Sequence, residues 1–217
     1  MAGAAERCGG RCPEDTRQQI LEAALEEFRS AGFQGASVNH ILARTALTKG
    51  ALYHHFPSKL ALGYAVMDEM LERAVARIEG VLERHDDVIE ALQALMRAQV
   101  LERPEEELLM GCPGQALIHE MAALDEGFHE RFQKVFGGPM EVVAQAVERG
   151  QRLGQVRPDV DPRGVAALFS TTRNGLMSMA RMSRDPAVVH RAAQTFLVLL
   201  EGLRPCPKAR QGAQEEA

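Results

Sequence analysis

Apolar residues recur along most of the chain at steps of three and four, and no stretch alternates in the two-residue rhythm of a half-buried strand. In TRQQILEAALEEFRSAG, Ile20, Ala23, Ala24, Leu25 and Phe28 fall on one helical stripe. Asp15 or Thr16 supplies the cap and Gly32 the stop. The same rhythm predicts helices over about 58–83, 86–102, 105–122, 125–152, 161–182 and 185–203. Gly137-Gly138-Pro139 should kink or end its helix, because proline removes a backbone donor and glycine is a poor helix former. RPDVDP, residues 157–162, reads as a linker, with Asp161 or Pro162 opening the helix after it. The fold class is all-α.

Two short helices follow Gly32. Ser37 caps the first, in which Val38, Ile41 and Leu42 face inward, and Thr45-Ala46-Leu47 turns the chain. Thr48 caps the second, which must end near Phe56 because Pro57 follows. This is helix-turn-helix spacing, a unit that sets the N-terminal end of its second helix in the major groove of DNA. Leu47, Ala51, Leu52 and Phe56 make the packing face, leaving Thr48, Lys49, Gly50, Tyr53 and His54 outward. A glycine inside so short a helix costs about 1 kcal/mol relative to alanine, a cost that makes sense where the backbone must approach another surface.

The helix starts point the same way. A capping box would place Glu or Gln three residues after the cap, yet Ser37 is followed there by His40 and Ser58 by Ala61. A helix N-terminus without its own anion is a seat for a phosphate. Ser37, Tyr53, His54 and Lys59 are therefore expected at phosphates, and Thr48, Lys49 and Gly50 at base edges.

Charge sharpens this reading. The 217 residues carry a formal net charge of −5, which by itself argues against a nucleic-acid partner. Between Glu27 and Asp68, however, there is no acidic residue, while Arg29, Arg44, Lys49 and Lys59 are basic. Arg44 thus joins the expected DNA contacts.

The run TKGALYHHFPSKLAL, preceded by a first helix ending in AGF and by S-V-x-x-I, resembles the DNA-binding region of the Tet-repressor-like (TetR) regulators. The motif resemblance covers roughly residues 15–70, and its specific elements are K-G-A-L-Y-H-H-F and F-P-S-K. It implies that Lys49, Tyr53, His54 and Lys59 contact operator DNA and that the protein is a ligand-released repressor. One departure stands in the turn, where the family often has Ala-Gly-Val and this chain has Thr45-Ala46-Leu47.

The expected organisation is a disordered tail (1–14), a three-helix DNA-binding domain (15–57), a larger helical regulatory and dimerisation domain (58–204) and a second disordered tail (205–217). Regulators of the resembled class use the larger domain for a ligand cavity and a dimer interface. Met67, Met96, Met110 and Met177 are adaptable fillers for a pocket, as they are for plain core, and Phe136 and Cys112 join them as candidate lining. Polar candidates for orienting a ligand are Gln115 and His119, four apart, and Arg173 with Asn174; they could equally satisfy one another. Cys112, just before Pro113, makes electrophile sensing conceivable, with a small buried thiol as the plainer reading. The helix over 185–203 is apolar over more than one stripe, so a second chain is expected to cover Phe169, Val189, Phe196, Leu197 and Leu200.

No acid, base and nucleophile stand together, so no catalytic residues are expected, and the histidines and cysteines lack metal-type spacing, so neither metal nor cofactor is expected. Cys8 and Cys12 read as tail thiols. No stretch approaches the roughly 18 apolar residues of a spanning helix, which leads to an expectation of a cytoplasmic protein with no membrane partner. The expected partners are double-stranded operator DNA, a second copy of the chain and a small-molecule effector of unknown identity. Two rival readings use the same residues: an architectural DNA binder without an effector, and a redox protein centred on Cys112.

Overall fold

The computed structural model describes residues 13–206; of the expected tails 1–14 and 205–217, residues 1–12, with Cys8 and Cys12, and 207–217 lie outside them. Every regular element among the described residues is helical. The helices are α1 (Pro13–Gly35), α2 (Val38–Ala43), α3 (Lys49–His55), α4 (Lys59–Leu82), α5 (Val88–Met96), α6 (Glu105–Met110), α7 (Pro113–Met121), α8 (Glu126–Arg152), α9 (Pro162–Ser183) and α10 (Pro186–Glu201). A π-helical turn, Arg97–Leu101, extends α5. Two compact units divide the chain, residues up to Val66 and residues from Met67 onward. The boundary falls two turns into α4, beyond the expected limit at residue 57. Lys59 is one reason: its ammonium donates to the carbonyls of Gln34 and Ala36, at 3.2 and 3.0 Å, and ties the start of α4 to α1.

In the first unit, α1 touches both α2 and α3, and α2 touches α3. Ile20, Ala23, Ala24 and Phe28 of the predicted stripe are buried, Leu25 is half-buried and Leu21 joins the core beside them, while Ile41, Leu52 and Phe56 are buried from the other side of the motif. The first helix begins earlier than expected, at Pro13, with Glu14 and Asp15 in its first turn facing the positive end of the helix dipole. Gly32 breaks it as expected, with φ of 73°, and a further turn runs on to Gly35.

In the second unit, α8 and α9 make the most extensive helix pair, and α10 lies against α9, α5 and the π turn. Ile89, Leu92, Leu95 and Met96 of α5, Val143 and Val147 of α8, Phe169 and Met177 of α9 and Val189, Phe196 and Leu200 of α10 share one apolar core. Asp161 caps α9 through the N–H groups of Arg163 and Gly164, at 3.3 and 2.8 Å, with Pro162 at the first helical position. Two sequence expectations are corrected here. The segment 105–122 is two helices, divided where Gly111 takes φ of 74° and Pro113 restarts the chain. The helix over 126–152 does not end at Gly137-Gly138-Pro139. Gly138 instead admits a close neighbour: a Cβ there would lie 3.0 Å from Leu71 Cδ1 of α4.

Candidate nucleic-acid interface and regulatory network

Ser37 and Thr48 cap α2 and α3 from extended backbone, Ser37 Oγ accepting from Asn39 N–H and Thr48 Oγ1 from Ala51 N–H, each at 3.2 Å. Neither first turn contains an acid. The turn between the helices has no glycine and requires none, because no residue in it has positive φ. Thr45 closes α2 by donating its hydroxyl to the Leu42 carbonyl at 3.2 Å. Along α3, Leu52 is buried while Lys49, Gly50, Tyr53 and His54 are exposed, as the projection of the sequence predicted. Lys49 Nζ stands 5.9 Å from the Tyr53 ring centre, a cation–π pair on one ridge. A Cβ on Gly50 would meet only Thr48 Oγ1, at 3.8 Å, so the fold of this chain does not demand glycine there.

Glu27 organises the motif from beneath. Its carboxylate is buried, 3% exposed, on the apolar stripe of α1. Oε1 accepts the Ser37 N–H at 3.3 Å and pairs with His40 Nδ1 at 3.1 Å, and Oε2 lies 3.7 Å from Arg44 Nε. Arg44, expected at DNA, is thus partnered within its own unit. So is Lys59, which adds to its two carbonyl bonds a position 5.0 Å above the Phe33 ring; it clamps α4 to α1 with most of its donor capacity. The sequence reading missed Glu27, although a carboxylate beside Ala23, Ala24 and Phe28 on a buried stripe is itself a signal of an internal partner.

In the second unit, the expected ligand residues divide. Met67, Met96 and Met177 are fully or almost fully buried, and Phe136 is half-buried with its ring 4.8 Å from that of Phe132. Met110 and His119 are exposed, which corrects the view of His119 as an interior polar group beside Gln115. Gln115 faces α9 instead: its amide donates to the Asn174 carbonyl at 3.2 Å and accepts from the Ser178 hydroxyl at 3.2 Å. Arg173 continues this network, donating to Asn174 Oδ1 at 2.5 Å and to Gln99 Oε1 of the π turn at 3.1 Å. The sequence had paired Arg173 with Asn174, and the structure adds Gln99 and Ser178, whose positions depend on how separate helices meet. Among the described residues no group of His, Cys, Asp and Glu could hold a metal.

The dimer expectation needs correction at four residues. Phe169, Val189, Phe196 and Leu200 belong to the core of their own chain, each at most 5% exposed, so a partner could reach them only by unpacking it. Leu197 is half-buried. The apolar side chains that α9 and α10 expose are Leu168, Met179 and Met182 and Val188, Val198 and Leu199. Broad apolarity was legible in sequence, but the split between own core and free face required the packed neighbours. No helix among the described residues is long and apolar enough to cross a membrane.

An all-helical chain whose first unit presents a helix-turn-helix with a basic, exposed second helix is a DNA-binding regulator in its architecture. The family "Bacterial regulatory proteins, tetR family" matches residues 20–66, and "Tetracyclin repressor-like, C-terminal domain" matches residues 88–196. Similar relatives include the HTH-type transcriptional regulator UidR of Escherichia coli K12, 30% identical over 170 residues, 76% of this chain and 81% of that one. The A-factor receptor protein of Streptomyces griseus is 31% identical over 172 residues, 74% of this chain and 53% of that one. Among solved structures, the reduced form of E. coli NemR superposes with TM-score 0.76 at 23% identity, covering 89% of this chain and 99% of that one. A TetR-family regulator from Cytophaga hutchinsonii superposes with TM-score 0.78 at 20% identity, covering 89% and 97%. The chain belongs to the TetR family: it is a DNA-binding transcriptional regulator rather than an enzyme.

Proposed function

We propose that the chain is a repressor that works in the bacterial cytoplasm as a homodimer on a palindromic operator and is released when a small molecule binds its second unit. The observation that carries this reading is the ridge Lys49, Gly50, Tyr53 and His54 on α3, exposed beside two helix N-termini that carry no acid of their own. Base edges are met by Thr48, Lys49 and Gly50, phosphates by Ser37, Tyr53 and His54, while Arg44 and Lys59 mainly hold the motif in shape. Residues 15–57 carry the reading head and residues 58–204 the regulatory and dimerisation functions. Copies pair through the exposed apolar residues of α9 and α10, giving two heads for two half-sites about one helical turn apart. The network of Gln99, Gln115, Arg173, Asn174 and Ser178, with Cys112 and the core methionines, lines the effector site; a relative named as a receptor supports an effector.

An effector lowers operator affinity only by its differential affinity for the released state, and operator must then weaken effector binding by the same factor. The test is to retain source-genome fragments on the purified full-length protein, sequence them, and challenge the bound fragment with small molecules. Enrichment of an inverted repeat that some small molecule releases is the expected result. Retention without sequence preference, or operator binding that no metabolite extract alters, would replace this reading with an architectural DNA binder.

A further inference from the structure

In the first unit one buried carboxylate serves two exposed bases. Glu27, 3% exposed, meets His40 Nδ1 with Oε1 at 3.1 Å and Arg44 Nε with Oε2 at 3.7 Å. Both partners keep their outer edges in solvent: the side chain of His40 is 71% exposed and that of Arg44 48%. An ionised carboxylate only accepts, so the His40 Nδ1 carries a hydrogen and donates it. Nε2, on the opposite edge of the ring, meets no partner among the described residues. Ser37, His40 and Arg44 stand at i, i+3 and i+7 along α2 and its caps, so they share one face of the motif's first helix. In a helix-turn-helix that helix crosses the sugar-phosphate backbone. Few other charges surround the ring. On α1, Glu26 and Arg29 pair with each other, and α3, the other helix packed on α2, brings only Lys49, His54 and His55, none of which bonds His40. Since no acid lies between Glu27 and Asp68 in the chain, Arg44 and a doubly protonated His40 share a single negative charge. A phosphate oxygen would supply the second.

We propose that His40 is an operator contact: with both ring nitrogens protonated it donates Nδ1–H to Glu27 and Nε2–H to a DNA phosphate, and binding DNA takes up that second proton from solvent. A ring with its only hydrogen on Nδ1 presents a lone pair at Nε2, which a phosphate oxygen repels. Glu27 is the positioning residue, fixing which nitrogen turns inward and favouring the charged ring. This role accounts for a carboxylate at a buried position where a neutral acceptor would satisfy the Ser37 N–H. A ring that holds its proton more firmly in the complex than in free protein strengthens binding at low pH, and that gain is lost as pH rises and the bound ring titrates. The inference rests on the first unit being a DNA-reading head and adds proton uptake to its grip.

The experiment uses full-length parent, His40→Gln and His40→Arg, titrated with a genomic duplex that the parent retains and with a random-sequence duplex of equal length. Affinities are taken at about pH 6 and about pH 8, at fixed ionic strength with helix content recorded. His40→Gln should bind about tenfold more weakly than the parent at the lower pH and within about twofold of it at the higher one. His40→Arg, charged at both, should match the parent at the lower pH and exceed it at the higher. The salt dependence of His40→Gln should be flatter than that of the parent by about one ion at the lower pH only, a difference that a purely structural histidine would not produce. His54 and His55 titrate in all three proteins, so differences between them isolate His40. Parallel pH profiles for parent and His40→Gln would overturn the proposal. If His40→Gln loses helix content, His40→Arg decides against the parent, and an unchanged pH dependence there overturns it equally. Preference for the genomic duplex with parallel profiles would leave the regulator standing without this contact. The pH-dependent difference on both duplexes, with no preference between them, would leave the contact standing and remove the operator reading. Retention of neither duplex by the parent would remove both.

Discussion

Glu27 fixes three groups of the reading head at once: the start of α2 through Ser37, and the side chains of His40 and Arg44. Glu27→Ala leaves the Ser37 N–H without its acceptor and the two bases without their anchor, and it should cost about 1–3 kcal/mol of stability in the first unit. Glu27→Gln keeps an oxygen for Ser37 and should recover part of that loss, which thermal unfolding of both variants checks; equal melting of Glu27→Ala and parent would show that the carboxylate organises nothing. Operator affinity should fall in the same order, since the head must be shaped before it can read. Lys49→Ala acts differently, removing a DNA contact from a folded head. It should weaken operator binding by about 1–3 kcal/mol if Lys49 reaches a base, and flatten the salt dependence by about one ion if it reaches a phosphate. Tyr53→Phe keeps the ring beside Lys49 and removes only the hydroxyl, so about 1 kcal/mol is expected. Both are measured by operator titration at fixed salt with helix content recorded; unchanged affinity in both would move the reading surface off α3.

At the level of elements, the start of α5 is pinned by one carboxylate. Asp87 caps the helix through the N–H groups of Ile89 and Glu90, at 2.9 and 3.0 Å, and receives Arg204 with both oxygens, at 2.7 and 3.1 Å. Burial pushes its pKa up, but Arg204 and the two backbone N–H groups outweigh it and hold the carboxyl below its usual 3.8. A depressed folded pKa means stability that is present above pH 3.8 and lost as pH falls through the folded value. Asp87→Asn should therefore be less stable than the parent by about 1 kcal/mol at neutral pH, with the two unfolding curves converging in acid; a gap that persists there would place its origin outside the charge. The packing of α8 gives a second case. A Cβ on Gly150 would lie 2.4 Å from Val88 Cγ1 and 2.9 Å from Val156 Cγ2, so Gly150→Ala should destabilise by about 1–3 kcal/mol, read by denaturant unfolding. These elements also show what a sequence carries. The α2–α3 motif was legible almost residue by residue because its caps, turn and packing face are local. That α8 runs on through Gly138-Pro139 was not legible because the close neighbour of Gly138, Leu71, lies on another helix, and Gln99 and Ser178 escaped notice because long-range packing gives them their partners.

For the whole molecule, a net charge of −5 coexists with a reading head that has no acid between Glu27 and Asp68, so attraction to DNA is concentrated in one unit. One such head binds one half-site weakly, and linking two makes the second contact nearly intramolecular, so assembly sets operator affinity. The face that does the linking must be apolar and free in the single chain. On α10, Leu199 is 61% exposed and Val198 72%, whereas the adjacent Leu200 is 3% exposed and part of its own core. The neighbouring substitutions Leu199→Glu and Leu200→Glu should consequently separate assembly from folding. Leu199→Glu sets a carboxylate in the contact between copies, where it has no partner, and should give folded monomers by sedimentation with normal helix content. Operator affinity should then fall on the order of 100-fold or more, recoverable only at high protein concentration. Leu200→Glu buries the charge within the chain and should lower thermal stability before it changes assembly. If Leu199→Glu remained a dimer with operator affinity intact, the copies would have to meet through a surface other than this face of α10.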